Sequence, residues 1–185
     1  MFYPIDIAGV KRNLPLCRLN DDLQIAAFVV FGDAELTVAC AQELLKIAPD
    51  YDYLITAEAK GIPIAHELAR QNGDEKYFVA RKKPKLYMTE VFDVTVQSIT
   101  TEGEQHLFLD KADADLMRGK RILLVDDVIS TGKSLEALEA LVDKAGDIVC
   151  GRICVLAEGD ATKRTDIKYL APLPLFDSEG NALSF

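Results

Sequence analysis

The stretch 121–138, RILLVDDVISTGKSLEAL, constrains the fold of this chain more than any other. Four consecutive apolar residues, 122–125, are bounded by charged residues, which predicts a parallel strand buried on both faces. Asp126 and Asp127 follow at once, so both carboxylates are expected at the carboxyl end of the strand, the edge where open α/β sheets bind ligands. A short loop, 130–134, then leads into a segment whose apolar spacing and composition predict a helix.

This loop supplies hydroxyl and backbone N–H groups at a helix N-terminus, where unsatisfied donors and the positive end of the helix dipole favour a phosphate. Its residues are Ser130, Thr131, Gly132, Lys133 and Ser134. The two neighbouring acids, when ionised, accept hydrogen bonds and therefore suit the two hydroxyls of a ribose diol. Phosphate plus diol indicates a ribose 5-phosphate. The nucleotide P-loop is excluded, because Asp127 stands where its first glycine is needed.

The composition is that of one folded domain, residues 1–185, with an acidic surface. Hydrophobic residues make up 49% of the 185, and the net charge is −9. This charge argues against broad binding to nucleic acids or anionic membranes, which needs clustered positive surface. No apolar run reaches the length of a membrane span, and the amino-terminal residues lack the pattern of a signal peptide, so we expect a cytosolic protein.

Two further segments are expected at the same edge of the sheet. A strand predicted over 53–57 is followed by a turn that contains Lys60 and Gly61, whose charge and backbone N–H groups suit an anion. A strand predicted over 77–80 is followed by Arg81-Lys82-Lys83-Pro84-Lys85, with four positive charges in five residues. Such crowding is unfavourable unless an anion or facing carboxylates neutralise it. A pyrophosphate group is one such anion.

Four hydrophobic residues, two acids and a hydroxyl-glycine loop that opens a helix together resemble the 5-phosphoribosyl-1-pyrophosphate (PRPP) motif of type I phosphoribosyltransferases. The turn AEAKG is similar to the EARG of adenine phosphoribosyltransferases, and RKKPKL resembles the RK-x-x-KL of the adenine and xanthine enzymes. The resemblance is closest to the adenine enzymes. It implies an α/β fold: a mainly parallel, twisted sheet of about five strands flanked by helices, with a small hood and a flexible β-hairpin lid.

The resemblance also implies a role for each segment. Asp126 and Asp127 would orient the ribose, and the loop 130–134 would hold the 5′-phosphate. The implied pyrophosphate site contains Lys60, Gly61, Arg81, Lys82 and Lys85. The lid would span about residues 86–110. Within it, Glu102 is the residue nearest to a glutamate that adenine enzymes are proposed to use on the acidic proton of the purine.

The hood would come mainly from residues 1–23, interpreted as an irregular cap, and from residues 157–185. Candidate contacts to the base are Ile7, Val10, Arg12, Val128 and Ala157. An ordinary packing role for the amino-terminal segment is an equally open interpretation. Near the base, the chain has no lysine at the place that xanthine-preferring relatives use, which argues against xanthine.

The implied enzyme is a pentosyltransferase of purine salvage. It would transfer the 5-phosphoribosyl group from PRPP to a purine, with adenine as the favoured acceptor, and yield a nucleoside 5′-monophosphate and pyrophosphate. Mg²⁺ would be bridged through PRPP and water, without direct protein ligands. A homodimer is implied by the resemblance alone. The alternatives are xanthine or another base as acceptor, or a non-catalytic regulator that senses PRPP or nucleotides, although the chain has no DNA-binding pattern that would accompany one.

Overall fold

The computed structural model of the protein describes residues 1–88, 90–96 and 105–184. In chain order, its elements are β1 (Phe2–Ile7), β2 (Val10–Arg18), β3 (Leu23–Ala26), α1 (Ala34–Ile47), β4 (Tyr53–Ala57), α2 (Ile62–Asn72), β5 (Phe78–Ala80), β6 (Val91–Val96), β7 (Gln105–Asp110), α3 (Lys111–Met117), β8 (Arg121–Ile129), α4 (Lys133–Ala145), β9 (Ile148–Glu158), a 3-10 helix (Gly159–Lys163), β10 (Lys168–Leu173) and β11 (Phe176–Asp177). Five of the strands form a parallel sheet in the order β10-β9-β8-β4-β5. This sheet and its flanking helices confirm the predicted fold class.

The strand β8 lies at the centre of the sheet because its apolar residues are buried on both faces. Leu123 and Val125 pack in the core layer that contains α1 and α2. Ile122 and Leu124 pack in the opposite layer, with α3 and α4. All four side chains are fully buried, as the unbroken apolar run predicts. The strand continues beyond the two acids to Ile129, so it is longer than the sequence predicts.

The two segments predicted to form the hood meet in a second sheet, of four strands in the order β1-β2-β3-β11. The prediction of an irregular amino-terminal cap is wrong, because β1 and β2 form an antiparallel hairpin with Phe2 opposite Pro15 and Ile7 opposite Val10. Along β1, exposed side chains alternate with half-buried or buried ones, and the ring of Tyr3 contacts that of Phe176 with centroids 5.0 Å apart. This alternation packs one face of the hairpin on the core.

A second hairpin, β6 and β7, occupies the place predicted for the lid. Its described strands are anchored to the core, since Leu107 and Leu109 are buried and the backbone of Phe108 pairs with that of Arg81 at 2.7 and 2.8 Å. Glu102 lies outside the described residues. The helix α3 follows β7 directly. Among the described residues, none of the helices has the length and apolarity that crossing a membrane requires.

Candidate active site

A cleft of about 290 Å³ lies where β4 and β8 end, at the carboxyl edge of the parallel sheet. It is lined by Ala57, Glu58, Ala59, Lys60, Lys82, Asp126, Asp127, Val128 and Ser134. A smaller pocket of about 100 Å³ adjoins it, sharing Asp126, Val128 and Ser134 and continuing along the loop 130–134. The structure therefore brings the predicted phosphate loop, both acids and two of the predicted cations together.

The two acids lie side by side on β8 with different surroundings. Asp126 is half-buried, whereas Asp127 is only 3% exposed. The backbone N–H of Asp127 donates to Oδ1 of Asp126 at 2.9 Å. Oδ2 of Asp127 lies 3.0 Å from Nζ of Lys60, an ion pair without hydrogen-bond geometry, so this buried oxygen has no hydrogen-bond donor among the described residues. It is a buried acceptor on a residue that lines the cleft.

Two effects raise the pKa of the Asp126 carboxyl. The larger is burial, and the second is the neighbouring charge of Asp127. The charge of Asp127 therefore disfavours ionisation of Asp126. Hydroxyl donors or a cation in the cleft would favour the ionised pair, which is the form that a ribose diol requires.

The phosphate loop is shaped by Gly132, whose φ of +81° is a conformation that favours glycine. A Cβ atom there would also lie 2.5 Å from Nη1 of Arg164. Arg164 is held in place by Asp166, to which it donates at 3.0 and 2.7 Å. The helix α4 begins at Lys133, immediately after this glycine. The loop therefore turns tightly and presents the N-terminus of α4 to the pocket.

The turn after β4 depends on glycine for a different reason. Gly61 has φ −69° and ψ −15°, which any residue adopts, but a Cβ atom there would lie 2.1 Å from Oγ1 of Thr56. It would also lie 3.3 Å from Oδ1 of Asp126. The absence of a side chain lets the turn approach both β4 and β8. The peptide bond between Glu58 and Ala59 in this turn is cis.

The basic segment after β5 faces the carboxylate of Glu58, which is not among the residues predicted for the site. Nη2 of Arg81 lies 3.2 Å from Oε1 of Glu58, and Nζ of Lys85 lies 3.8 Å from the same atom. The backbone N–H of Lys82 donates to Oε2 of Glu58 at 3.0 Å. This hydrogen bond, together with the nearby cations, lowers the pKa of Glu58. The sequence predicts that an anion or facing carboxylates neutralise the basic segment. The structure shows a facing carboxylate, that of Glu58.

Glu158 is a second acid that the sequence analysis left out. It ends β9, the strand beside β8. Burial raises the pKa of its carboxyl, while a hydrogen bond with the Ser130 side chain and the charge of Lys60 lower it. Glu58 and Glu158 both follow the apolar part of a parallel strand. The position after the apolar part of a parallel strand, which makes Asp126 a candidate, also makes Glu58 and Glu158 candidates.

The residues predicted to contact a base differ in the surface that they offer. Ile7 and Ala157 are 0% exposed, so they offer a ligand no surface in this structure. Val10 and Val128 are half-buried, and Val128 lines the cleft. A contact with the base therefore stays a prediction for Val10 and Val128, whereas Ile7 and Ala157 are placed to support their strands.

Arg12 is held by the start of α1. Its guanidinium donates to the two carboxylate oxygens of Asp33 at 2.6 and 2.9 Å and to Glu35 at 2.8 Å. Asp33 in turn caps the helix by accepting from the backbone N–H of Leu36 at 3.1 Å. These contacts tie the first hairpin to α1, and a role for Arg12 at the base stays a prediction.

Within the ranges that the structure describes, no group of three or more His, Cys, Asp or Glu side chains could hold a metal ion. The carboxylate oxygens of Asp126 and Asp127 are nevertheless hard donors, and both residues line the cleft. Such oxygens suit Mg²⁺, which usually keeps several waters and binds through one or two carboxylates plus phosphate oxygens. The cleft therefore fits an ion that arrives with a phosphorylated ligand.

Comparisons with known proteins agree with this geometry. A family model described as phosphoribosyl transferase domain matches residues 34–173. A hypoxanthine/guanine phosphoribosyltransferase from Methanothermococcus okinawensis is 31% identical over 154 residues, covering 80% of each chain. An adenine phosphoribosyltransferase from Petrotoga mobilis is 26% identical over 121 residues, covering 65% of this chain and 66% of the relative. The crystal structure of adenine phosphoribosyltransferase from Thermoanaerobacter pseudethanolicus matches with a TM-score of 0.64 and 25% identity, covering 77% of this chain and 84% of the other. As its PRPP motif predicts, this chain belongs to the phosphoribosyl transferase domain family.

Proposed function

We propose that this protein is a purine phosphoribosyltransferase. It transfers the 5-phosphoribosyl group of PRPP to a purine base and releases pyrophosphate and a nucleoside 5′-monophosphate. The observation that supports the proposal is that the cleft lined by Asp126, Asp127 and Lys60 adjoins the pocket lined by the loop 130–134, with Asp126 and Ser134 lining both. A sugar diol, a phosphate and a pyrophosphate each have partners of suitable charge there.

The reaction asks the protein for positioning and charge stabilisation. Breaking the bond between C1′ and pyrophosphate leaves positive charge on the sugar and negative charge on the departing group. Asp126 and Asp127 would accept hydrogen bonds from the 2′- and 3′-hydroxyls and place negative charge near the sugar. Lys60 and Lys82, which also line the cleft, would stabilise the departing pyrophosphate. Holding the base in line with the breaking bond supplies the remaining acceleration.

Magnesium fits this chemistry through the acids of the cleft. When bound together with PRPP, the ion would supply positive charge to the pyrophosphate oxygens. Asp126 and Asp127 are the residues that would hold it, through water or through the ribose hydroxyls. Because burial raises the pKa of Asp126, the proton of that carboxyl has to leave before the pair can serve this role fully.

The acceptor base is the finer part of the proposal. The resemblance of AEAKG and RKKPKL to adenine phosphoribosyltransferases favours adenine. Hypoxanthine and guanine are the second candidates, because the relative that is 31% identical is described as a hypoxanthine/guanine phosphoribosyltransferase. We also expect a homodimer in solution, as the family resemblance implies, which sedimentation analysis would test.

A pyrophosphate-release assay tests the proposal. The protein is mixed with PRPP, magnesium and, in separate reactions, adenine, hypoxanthine, guanine or xanthine. We expect release with one or more purines and its loss in the double variant Asp126→Asn/Asp127→Asn, whose fold is checked by circular dichroism. Binding of PRPP without release under any base would instead identify a regulator that senses PRPP. Near-normal turnover by the folded double variant would exclude the proposed role of the two acids.

A further inference from the structure

At each end of β4, one carboxylate accepts a backbone N–H and pairs with the side chain of a basic residue. We call each of these arrangements a carboxylate clamp. At the amino end of β4, Asp52 accepts the backbone N–H of Arg121 at 2.8 Å and pairs with the guanidinium of the same residue at 3.0 Å. At its carboxyl end, Glu58 accepts the backbone N–H of Lys82 at 3.0 Å and pairs with Arg81 at 3.2 Å. The first clamp joins the starts of two strands. In the second, Glu58 and Lys82 line the cleft, and Arg81 and Lys82 belong to the predicted pyrophosphate site.

We propose that Glu58 is an affinity-determining residue that competes with pyrophosphate for Arg81 and Lys85. The inference rests on the proposed function, since it assumes that these cations bind the pyrophosphate of PRPP. The side chain of Glu58 is 22% exposed and lines the cleft itself. An anion entering there meets a negative charge that already engages its binding partners.

The contacts of Glu58 divide into two kinds with different consequences. The hydrogen bond from the Lys82 backbone holds the basic segment against the turn after β4, and it needs only an acceptor oxygen. The ion pairs with Arg81 and Lys85 need a charge. Glutamine keeps the acceptor and removes the charge. The substitution Glu58→Gln therefore separates the structural role of this residue from its electrostatic one.

Removing the charge should strengthen the binding of pyrophosphate. Partly exposed ion pairs contribute little individually, so the loss of two of them corresponds to an increase in affinity of about fivefold. The gain should shrink as salt concentration rises, because ions screen charges that face solvent. If Glu58 only held the loop in place, its substitution would instead weaken the binding of pyrophosphate.

The test is calorimetric titration of magnesium pyrophosphate into the wild-type protein, Glu58→Gln and the control Asp52→Asn. The control removes an equal charge from the matching clamp at the far end of the same strand. We expect Glu58→Gln to bind about fivefold more tightly than wild type, less so in high salt, with Asp52→Asn unchanged within about twofold. Equal or weaker binding by folded Glu58→Gln overturns the inference.

Should Glu58→Gln fail to fold, Glu58→Asn carries the test. Its amide is shorter by one methylene group but still offers an acceptor oxygen and carries no charge, so binding tighter than wild type is again expected, and unchanged or weaker binding overturns the inference. If the wild-type protein binds neither PRPP nor pyrophosphate, the proposed function fails. If wild type binds and the Glu58 variants bind no more tightly, only this inference fails.

Discussion

Replacing Gly61 by alanine should break the close fit between the turn after β4 and the strand itself. The added Cβ would lie 2.1 Å from Oγ1 of Thr56, a fully buried side chain, and 3.3 Å from Oδ1 of Asp126. The backbone angles suit alanine, so the cost is steric. Overpacking costs about 1–3 kcal/mol, and the reduced entropy of the unfolded chain returns about 0.4–1 kcal/mol. We expect the free energy of unfolding to fall by about 1–2 kcal/mol.

Urea unfolding of a double-mutant cycle measures this effect. Thr56→Ala removes the hydroxyl that the new methyl group would strike, so Gly61→Ala/Thr56→Ala should recover about 1 kcal/mol relative to additivity. Thr56→Val is the matched control, because it keeps a methyl group in place of the hydroxyl and should not rescue. Wild-type stability of Gly61→Ala, or equal rescue by alanine and valine, would refute the steric reasoning.

Two further predictions concern charged residues. Because burial raises the pKa of Asp126, the folded protein binds this proton more tightly than the unfolded chain does, and stability should fall as pH rises from about 4 toward the raised value. Asp126→Asn should therefore increase the melting temperature at pH 8 and flatten its dependence on pH; a lower melting temperature at pH 8 would contradict the account. Asp33→Ala removes the cap of α1 and the partner of Arg12, which should cost about 1–2 kcal/mol in urea unfolding. Asp33→Asn keeps the cap and should lose less stability than Asp33→Ala. Equal losses by the two variants would show that the ion pair with Arg12, and not the cap, causes the effect.

The central strand β8 could be predicted because few other structures suit its sequence. An apolar run such as Ile122 to Val125, followed at once by two acids, has to be buried on both faces and then reach an edge. The hairpin β1-β2 was harder to predict, since Pro4 and Asp6 on its exposed face interrupt the apolar signal. The short helix α3 buries only Ala114 and Met117, too few residues to show a helical period.

Within the site, the sequence indicates which residues lie close together but not which of them form ion pairs. Lys60 and the basic segment were predicted from their positions after parallel strands. Their partners, Asp127 and Glu58, depend on how the turn after β4 folds back over β8, which a linear pattern does not specify. The burial of Ile7 likewise depends on the register of the first hairpin. Side-chain pairing across loops is therefore the part of the site that required the structure.

The most direct test of the account is calorimetric titration of PRPP, in the presence of magnesium, into the wild-type protein and into Asp126→Asn/Asp127→Asn. The account predicts saturable binding to wild type and its loss in the double variant. If the wild-type protein takes up neither PRPP nor any nucleoside 5′-monophosphate, the two acids of β8 and the adjoining loop do not bind a phosphorylated ribose.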